Sequence, residues 1–414
     1  MEYNANQILL DKLKKMECAD STSPSKPPFV LSHSSGNDVF DAGGNKYLDF
    51  ITGFGSLGLG HNHPKLVSAM ENYLQQKGAW QGLGDLFAAE PKVALAEKIL
   101  QHLPDKFSRV SFSLSGSDAI ATAIKTLQLK TKAQGFLALE DCYHGVEFGP
   151  LSLTHNPYFK GDFVDHNPNI KYIKVHEDKK LLIEKVTELK SQNNFAGLIV
   201  EPVLGRGGLR KLDFAWLQDV YKIVRDHDGY VIFDEILCGL GRCGRFSFTK
   251  DVDADITCFG KNLGGGMPVS ACVGTEEVMS AWPESPGEAK HTGTFYGHAL
   301  SCYMALENMK IHDELNLYNA GIKSEKWLTE ILTKHLNKYQ KHIKEIRVCG
   351  FWAVVELHEK GLGVKVVDQC REHGLLCLPC GVHGESISLI PSFTITQEEF
   401  NHGCSIIAKT ISHL

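Results

Sequence analysis

The residues best suited to covalent chemistry are a lysine and an aspartate in the middle of the chain. Lys261 follows the apolar run 256–259 and precedes three glycines, and Asp234 follows the apolar run 230–233. A buried lysine with a lowered pKa is an effective imine-forming nucleophile, and glycines let the backbone approach a bulky ligand. A carboxylate at a strand end could keep the nitrogen of a heteroaromatic ring protonated. A solvated surface lysine and a strand-end cap are the ordinary alternatives.

A second group of residues could bind an anion and a flat ring. Ser115, Gly116 and Ser117 follow the apolar run 110–113 and open a helical pattern. A helix N-terminus presents free N–H groups and a positive dipole end, so this turn predicts a phosphate or carboxylate site, although serine is also a common N-cap. Tyr143 and His144 follow the run 136–139 and are suited to stacking on such a ring, or to packing in the core.

The elements that must position these residues alternate between strands and helices. Short continuous apolar runs, such as 197–200 and 230–233, indicate strands buried on both faces. Helical patterns such as 117–130 and 214–227 lie between them. We therefore predict an α/β fold with a mostly parallel sheet, with its ligand at the carboxyl ends of the strands.

The flanking segments predict a smaller α+β unit. Residues 21–28 form a Pro/Ser connector, and two short runs around the turn 42–45 predict a hairpin. After about residue 310 the pattern changes. We expect a long amphipathic helix over 313–339, strands around 345–357, a helix near 364–373 and a terminal helix. The expected division is residues 1–60 and 306–414 for the small domain and 61–305 for the large domain, since 414 residues exceed one core.

Composition restricts the partners and the cellular location. The net charge is −6 and no basic run carries interleaved aromatics, so we expect small-molecule partners and no nucleic acid. No apolar run reaches about 18 residues and the N-terminus lacks a signal-peptide pattern, so we expect no membrane span and a cytoplasmic location.

The twelve cysteines are interpreted as reduced packing residues. For the Cys377–Cys380 motif, a redox or zinc half-site is the alternative to a strand entering a turn, and we predict no metal site.

The order and spacing of these features resemble one family, the class III aminotransferases, which are the ω-amino-acid branch of fold-type I pyridoxal-phosphate enzymes. The resemblance covers nearly the whole chain. It is carried by the following residues and segments: Asp49, 60–64 (GHNHP), 143–145 (YHG), 201–203 (EPV), 234–236 (DEI), 239–244 (GLGRCG), Lys261, 291–295 (HTGTF) and 391–396 (PSFTIT).

The resemblance implies pyridoxal 5′-phosphate as cofactor and assigns roles to individual residues. Lys261 would carry the cofactor as a Schiff base and shuttle the proton between Cα and C4′, while Asp234 would pair with the pyridine nitrogen. Thr294 would reach the phosphate from the partner subunit, which implies a homodimer. The cofactor-binding set is Ser115, Gly116, Ser117, Tyr143, His144, Glu201, Asp234, Ile236, Lys261 and Thr294, with Tyr143 and Ile236 on opposite ring faces. The implied fold has a large domain with a mostly parallel sheet and a small α+β domain from both termini.

Four positions depart from the family pattern. Members that use glutamate or 2-oxoglutarate carry a glutamate where this chain has Arg206 and an arginine where it has Ser388, so both halves of a carboxylate switch are missing. Arg206 could itself bind a carboxylate, or it could face solvent in a Gly-rich loop. Leu237 replaces a glutamine and His298 an asparagine. The expected substrate residues are Arg206, Ser56 and Ser388.

The expected function is a ping-pong aminotransferase that passes an amino group from a donor to an aldehyde or ketone acceptor. The substrate would be a specialised one, such as an amine, an amino sugar, an ω-amino acid or a biosynthetic intermediate. A glutamate-1-semialdehyde-type aminomutase is the alternative within the family. The alternative from another class is a cofactor-binding subunit without turnover.

Overall fold

The computed structural model describes residues 5–18, 29–82, 84–161, 163 and 166–414, and its centre is a seven-stranded sheet. The predicted connector at 21–28 lies outside the described residues. Neighbouring strands run parallel except Ser270–Thr275, which is antiparallel to both of its neighbours. This confirms the mostly parallel sheet. The spatial order is Phe107–Ser113, Ser270–Thr275, Ile256–Phe259, Tyr230–Asp234, Phe195–Val200, Gly135–Leu139 and Ile170–Ile173.

Helices flank this sheet, and the central strands are buried along their whole length. The helices predicted at 117–130 and 214–227, between the strands, are confirmed as Gly116–Thr131 and Phe214–Asp226. The other helices of the chain are Ala5–Met16, Thr52–Gly55, Pro64–Gln75, Glu90–Leu100, Pro150–Leu153, Pro157–Lys160, Lys179–Ser191, Glu276–Met279, Ala299–Glu314, Leu317–Leu336, Leu362–Glu372 and Gln397–Ile411, with 3₁₀ turns at Phe248–Lys250, Lys261–Gly264 and Asn337–Tyr339.

Both ends of the chain build the smaller α+β unit, as expected. The predicted hairpin forms because the Asp41 carboxylate accepts hydrogen bonds from the backbone N–H groups of Gly43 and Asn45. Phe50 and Phe400 stack in the shared core. One sheet joins Leu31–Ser35, Asp38–Asp41, Lys46–Asp49 and Leu375–Leu376; a second holds Ile343–Cys349, Trp352–Leu357, Ser386–Leu389 and Leu378–Cys380; a two-stranded ribbon pairs Val203–Leu204 with Arg210–Lys211.

The helix expected over 313–339 is wrong in its bounds. One helix ends at Glu314, and a new helix runs from Leu317 to Leu336. Asn316 lies between them with φ of 51°, a left-handed conformation that breaks the helical path. The boundary expected between residues 305 and 306 falls inside the helix Ala299–Glu314, and the division into domains stays a prediction.

The cysteines are free thiols, and ten of the twelve are buried, which supports their interpretation as packing residues. Cys380 ends the strand Leu378–Cys380, and Gly381 follows with φ of 85°, so this motif is a strand that enters a turn. Within the described ranges, no group of three or more metal-ligating side chains could hold a metal ion. No helix of the described chain has the length and apolar character to cross a bilayer.

Candidate active site

Lys261 and Asp234 lie at the same edge of the central sheet. Asp234 ends the strand Tyr230–Asp234, where it stands opposite Cys258 of the parallel strand Ile256–Phe259. Lys261 comes two residues after that second strand and starts a 3₁₀ turn with φ of 43°. The carboxyl ends of parallel strands are the usual ligand site of such sheets. Two residues far apart in the chain therefore meet at one ligand-binding edge.

His144 joins this edge through a short hydrogen bond. Its Nδ1 lies 2.7 Å from the Asp234 carboxylate, and both side chains are buried. Burial alone would lower the pKa of His144, but Cys142 and the bond to Asp234 raise it well above its usual value. The other Asp234 oxygen accepts the backbone N–H of Ile236. The imidazole therefore fixes and partly neutralises the carboxylate.

The amine of Lys261 is poised to act as a nucleophile. Burial lowers its pKa and the positive charge of Arg206 adds to this, while Asp234 and Glu201 oppose it. Within the described residues, no hydrogen bond or ion pair holds its ammonium group. A lowered pKa raises the fraction of neutral amine near pH 7, which imine formation requires.

The turn before the helix Gly116–Thr131 is the candidate anion site of this edge. Ser115 caps the helix by accepting the N–H of Asp118, and its hydroxyl donates to the Glu147 carboxylate. The N–H groups of Gly116 and Ser117 belong to the first helical turn, which has no intrahelical acceptor. A Cβ on Gly116 would come within 2.9 Å of two Ile236 side-chain atoms, so a larger residue there would have to displace the Ile236 side chain.

Glu201 organises the loop that carries Tyr143. One of its carboxylate oxygens accepts the N–H of Tyr143 and the other that of Gly205, both at 2.9 Å. Burial raises the pKa of Glu201 to about 7, and the nearby Asp234 contributes to this. Both oxygens thus bond to the protein backbone, and the predicted contact of Glu201 with the cofactor stays a prediction.

The three expected substrate residues lie in different environments. Arg206 is exposed, and its guanidinium carbon lies 4.9 Å from the Tyr143 ring centroid. Ser56 is half-buried, and its hydroxyl donates to the carbonyl of Gly53. Ser388 is buried, and its hydroxyl accepts a hydrogen bond from the indole of Trp352. Arg206 is therefore the most accessible of the three.

Thr294 is exposed, and no hydrogen bond of its side chain to the anion site occurs in the described part of the chain. Its carbonyl accepts a hydrogen bond from Gln81. The same segment packs along the helix Gly116–Thr131, since His291 lies 2.8 Å from the Thr122 hydroxyl. Within one subunit, the structure does not bring the Thr294 side chain to the site.

Three residues of this region were missed by the sequence reasoning. Phe159 packs edge to face on Tyr143, with ring centroids 5.3 Å apart. Trp352 anchors Ser388, and Asn262 beside Lys261 accepts the N–H of Gly58. Asn262 directly follows Lys261, which could have indicated it, whereas no local pattern marks Phe159 or Trp352.

Glu235 gives a prediction on stability. Its buried carboxylate accepts hydrogen bonds from Ser247, Thr257 and the N–H of Phe248, yet burial raises its pKa to about 7. A carboxyl with a raised folded-state pKa stabilises the fold below its unfolded-state pKa, and this contribution is lost as pH rises through 7. Between pH 5 and pH 8 we expect the wild type to lose about 1–3 kcal/mol of stability relative to Glu235→Gln.

Chemical denaturation at fixed protein concentration measures this difference. Glu201 titrates in both proteins, so only the difference between their curves reports on Glu235. The exposed Glu330→Gln variant is the matched control and should follow the wild type. Parallel stability curves for Glu235→Gln and wild type would contradict the prediction.

Comparison with known proteins identifies the family. The model of the family "Aminotransferase class-III" matches residues 21–411. The chain belongs to the class III aminotransferases. It is 30% identical to the 5-aminovalerate aminotransferase of Pseudomonas aeruginosa, with 94% of each chain covered, and 29% identical to the 4-aminobutyrate aminotransferase of Escherichia coli, with 92% and 93% covered.

A solved structure shows the same fold. The ornithine aminotransferase of Toxoplasma gondii superposes with a TM-score of 0.86 at 24% identity, with 99% of this chain and 95% of that chain covered, and it was described with partial occupancy of pyridoxal phosphate at its active site. The fold-type I architecture is therefore confirmed. As a class III aminotransferase, the chain is a pyridoxal-phosphate-dependent enzyme.

The residues of this class III aminotransferase fit that cofactor. A Cβ on Gly145 would lie 1.8 Å from the Ser117 hydroxyl, so glycine at this position leaves room for that hydroxyl at the start of the helix. The Nε2 atom of His144 is buried and has no partner among the described residues. The Lys261 amine makes no hydrogen bond or ion pair within the described part of the chain. An anion site, a fixed carboxylate and an unpaired amine are the groups that this cofactor requires.

Proposed function

We propose that this aminotransferase moves an amino group from an amine or ω-amino acid donor to an aldehyde or ketone acceptor by a ping-pong mechanism. The observation that carries the proposal is the unpaired Lys261 amine, with its lowered pKa, at the sheet edge that holds the Asp234–His144 pair. The names of two relatives, which act on 5-aminovalerate and 4-aminobutyrate, support the donor class.

We assign the steps at the protein's own atoms as follows. Bound pyridoxal phosphate supplies a ring that withdraws electrons from the substrate carbon. The Asp234 carboxylate, oriented by His144, would hold a proton at the ring nitrogen. The Lys261 amine moves the proton from the substrate carbon, and its low pKa lets it act as the base.

The remaining residues bind and orient. Ser115, Gly116 and Ser117 hold the phosphate at the helix start through hydroxyl and N–H groups. Tyr143 and Ile236 would cover the two faces of the ring, and Glu201 positions the Tyr143 loop. Ser56, Ser388 and Arg206 are proposed to face the substrate. The changes at 206 and 388 support a specialised biosynthetic substrate.

The test follows the absorbance of the purified holoenzyme. Candidate donors are glutamate, alanine, 4-aminobutyrate, 5-aminovalerate, ornithine and putrescine, and a true donor converts pyridoxal phosphate to pyridoxamine phosphate. Addition of a carbonyl acceptor should restore the starting spectrum. Isomerisation of an amino aldehyde without an external acceptor would instead favour the aminomutase. Absence of bound cofactor would overturn the proposal.

We further propose a homodimer in which each site is completed by the partner. The support is a set of large apolar side chains that are each more than half exposed and that an interface could cover. Phe295, next to Thr294, is one of them, and Gln81, which bonds to the Thr294 carbonyl, adjoins another. The set contains Trp80, Leu86, Phe87, Phe148 and Phe295.

A cytoplasmic location is also proposed, supported by the ten buried free thiols.

The trans role of Thr294 predicts complementation between two variants. Thr294→Val should weaken cofactor binding by about 10- to 100-fold, because one hydrogen bond to a charged phosphate is lost. Mixed dimers of Thr294→Val chains with Lys261→Ala chains contain one site with an intact lysine and an intact threonine. Their cofactor titration should therefore recover a population of tight, active sites.

The first mixture separates trans from cis binding, because it contains no intact site if Thr294 acts within its own chain. The matched control mixes Thr294→Val chains with chains that carry both substitutions. No chain in this control has the threonine, so no tight population should return. Recovery in this control, or no recovery in the first mixture, would contradict the proposed role of Thr294.

A further inference from the structure

The guanidinium of Arg206 lies against two aromatic rings. Its central carbon is 4.9 Å from the ring centroid of Tyr143 and 5.0 Å from that of Phe159. A guanidinium stacked on aromatic faces is held in place while its N–H groups remain available for hydrogen bonds. The Arg206 side chain is nevertheless exposed. The N–H groups of Arg206 are therefore held in place and remain available to a ligand.

Arg206 also has no carboxylate partner within the part of the chain that the structure describes. Most other arginines do have one, and their ion pairs are Arg109–Glu276, Arg225–Glu277, Arg245–Asp251, Arg347–Glu356 and Arg371–Asp368. A positioned guanidinium without a counter-ion is suited to bind a carboxylate or phosphate with two parallel hydrogen bonds.

A cavity of about 220 Å³ adjoins this guanidinium. Arg206, Tyr143 and Phe159 line one side, and residues 379–382 line the other. The two sides are tied together because the N–H of Gly381 donates to the Arg206 carbonyl. The walls are mostly apolar, so the Arg206 guanidinium is the charged group on this side of the cavity.

Asp141 and His155 also border the cavity. The Asp141 N–H donates to the His155 Nδ1, so this nitrogen is an acceptor and offers no proton to the Asp141 carboxylate 3.6 Å away. Among the described lining residues, Arg206 is the one arginine or lysine, and a ligand anion would meet its charge there.

The cavity shares Tyr143 with the candidate active site. Tyr143 belongs both to the cavity wall and to the loop that Glu201 ties to the active site. The charge of Arg206 reaches Lys261, since it assists burial in lowering the pKa of that amine. A short substrate could therefore place one end at Lys261 and the other at Arg206.

We propose that Arg206, positioned by Tyr143 and Phe159, binds an anionic group at the far end of the amino substrate. This rests on the proposed function and narrows it: the substrate is an amine that carries a carboxylate or a phosphate, and amines without an anionic group are poor substrates. Phe159 acts as a positioning residue, because its ring holds the guanidinium and does not itself contact the reacting atoms.

The first experiment compares donors of matched length on the holoenzyme. Conversion of the bound cofactor is measured with 5-aminovalerate, phosphoethanolamine and pentylamine, which carries no anionic group. Arg206→Gln should raise the half-saturating concentration of the donors that carry an anionic group by about 10- to 100-fold, as for a lost charge-assisted hydrogen bond. Because the charge of Arg206 also reaches the Lys261 amine, the half-saturating concentration of pentylamine should change too, but by much less. A larger loss with 5-aminovalerate identifies a carboxylate, and a larger loss with phosphoethanolamine identifies a phosphate. The exposed Arg210→Gln is the matched control and should change none of them.

Two further variants separate binding from folding. Arg206→Lys keeps the charge but loses the planar fork, so it should restore only part of the affinity. Phe159→Leu should raise the half-saturating concentration of the anionic donor without changing the maximal rate. Equal weakening of 5-aminovalerate and pentylamine in Arg206→Gln would overturn the proposal, because a merely structural role would affect both.

A binding measurement distinguishes this inference from the proposed function. Valerate carries the carboxylate but no amine, so its binding to the holoenzyme by calorimetry requires no amino transfer. If the wild type converts no donor, the proposed function fails, yet valerate binding that depends on Arg206 still supports the anion site. Valerate affinity that is unchanged in Arg206→Gln overturns the anion site, whatever the activity.

Discussion

Replacing Lys261 by alanine is expected to abolish amino transfer, with a rate loss on the order of 10⁴-fold or more. This substitution removes both the amine that bonds to the cofactor and the base that moves the substrate proton. Within the described active-site residues, no other lysine is available to take over. Single-turnover absorbance with a donor identified in the wild type measures the loss.

Two variants control for this result. Lys261→Arg keeps a positive charge but cannot form the imine, so it should be as inactive as the alanine variant. The exposed Lys341→Ala should retain full activity. Appreciable turnover by Lys261→Arg would show that charge alone matters and would contradict the assignment. Bound cofactor without turnover in the wild type would favour a cofactor-binding subunit instead.

Replacing Asp234 by asparagine is expected to slow the same half-reaction by about 10²- to 10³-fold, as for loss of one preorganised electrostatic partner. The neutral amide no longer favours a proton on the ring nitrogen, so the ring withdraws electrons less well. The geometry is largely retained because asparagine can still bond to His144 Nδ1. Rapid-mixing absorbance measures the rate.

The charge change has a second consequence at two neighbouring groups. Asp234 raises the pKa of His144 against the effect of burial, so the imidazole pKa should fall in Asp234→Asn. The pKa of Lys261 should also fall further in this variant. In the wild type, the negative charge of Asp234 opposes the lowering of the Lys261 pKa by burial. An NMR titration of His144 measures the first effect. The exposed Asp105→Asn is the control, and an unchanged His144 titration in Asp234→Asn would contradict the coupling.

The Lys261 and Asp234 variants probe different parts of the chemistry. The Lys261 variants test whether the residue makes and breaks the bond to the cofactor, whereas the Asp234 variants test the electrostatic support around it. A large loss at Lys261 with no loss at Asp234 would keep the imine chemistry and reject the ring-nitrogen role. The Arg206 variants act on substrate affinity, so the three positions can be separated by rate and by half-saturating concentration.

The sequence by itself determined the fold class and the edge of the sheet that carries the chemistry. Short apolar runs ending in Asp234 and just before Lys261 are local patterns, and buried parallel strands are built from such runs. The helix start at Ser115 was likewise readable, because an N-cap and the helical period are encoded within one turn. The helix expected over 313–339 failed at Asn316, whose left-handed conformation no amphipathic pattern reveals.

Only the tertiary structure decided which distant side chains meet. The bond between His144 and Asp234 spans 90 residues of chain. The Arg206 guanidinium packs on the ring of Phe159, which belongs to a separate segment of the chain. The Trp352 indole donates a hydrogen bond to the Ser388 hydroxyl. The periodicity of a segment determines which of its faces is buried, but the partner of that face depends on how whole elements pack. For this reason the sequence alone showed Arg206 as an arginine in a Gly-rich loop. Its contacts with the rings of Tyr143 and Phe159, and its lack of a carboxylate partner among the described residues, became visible only in the tertiary structure.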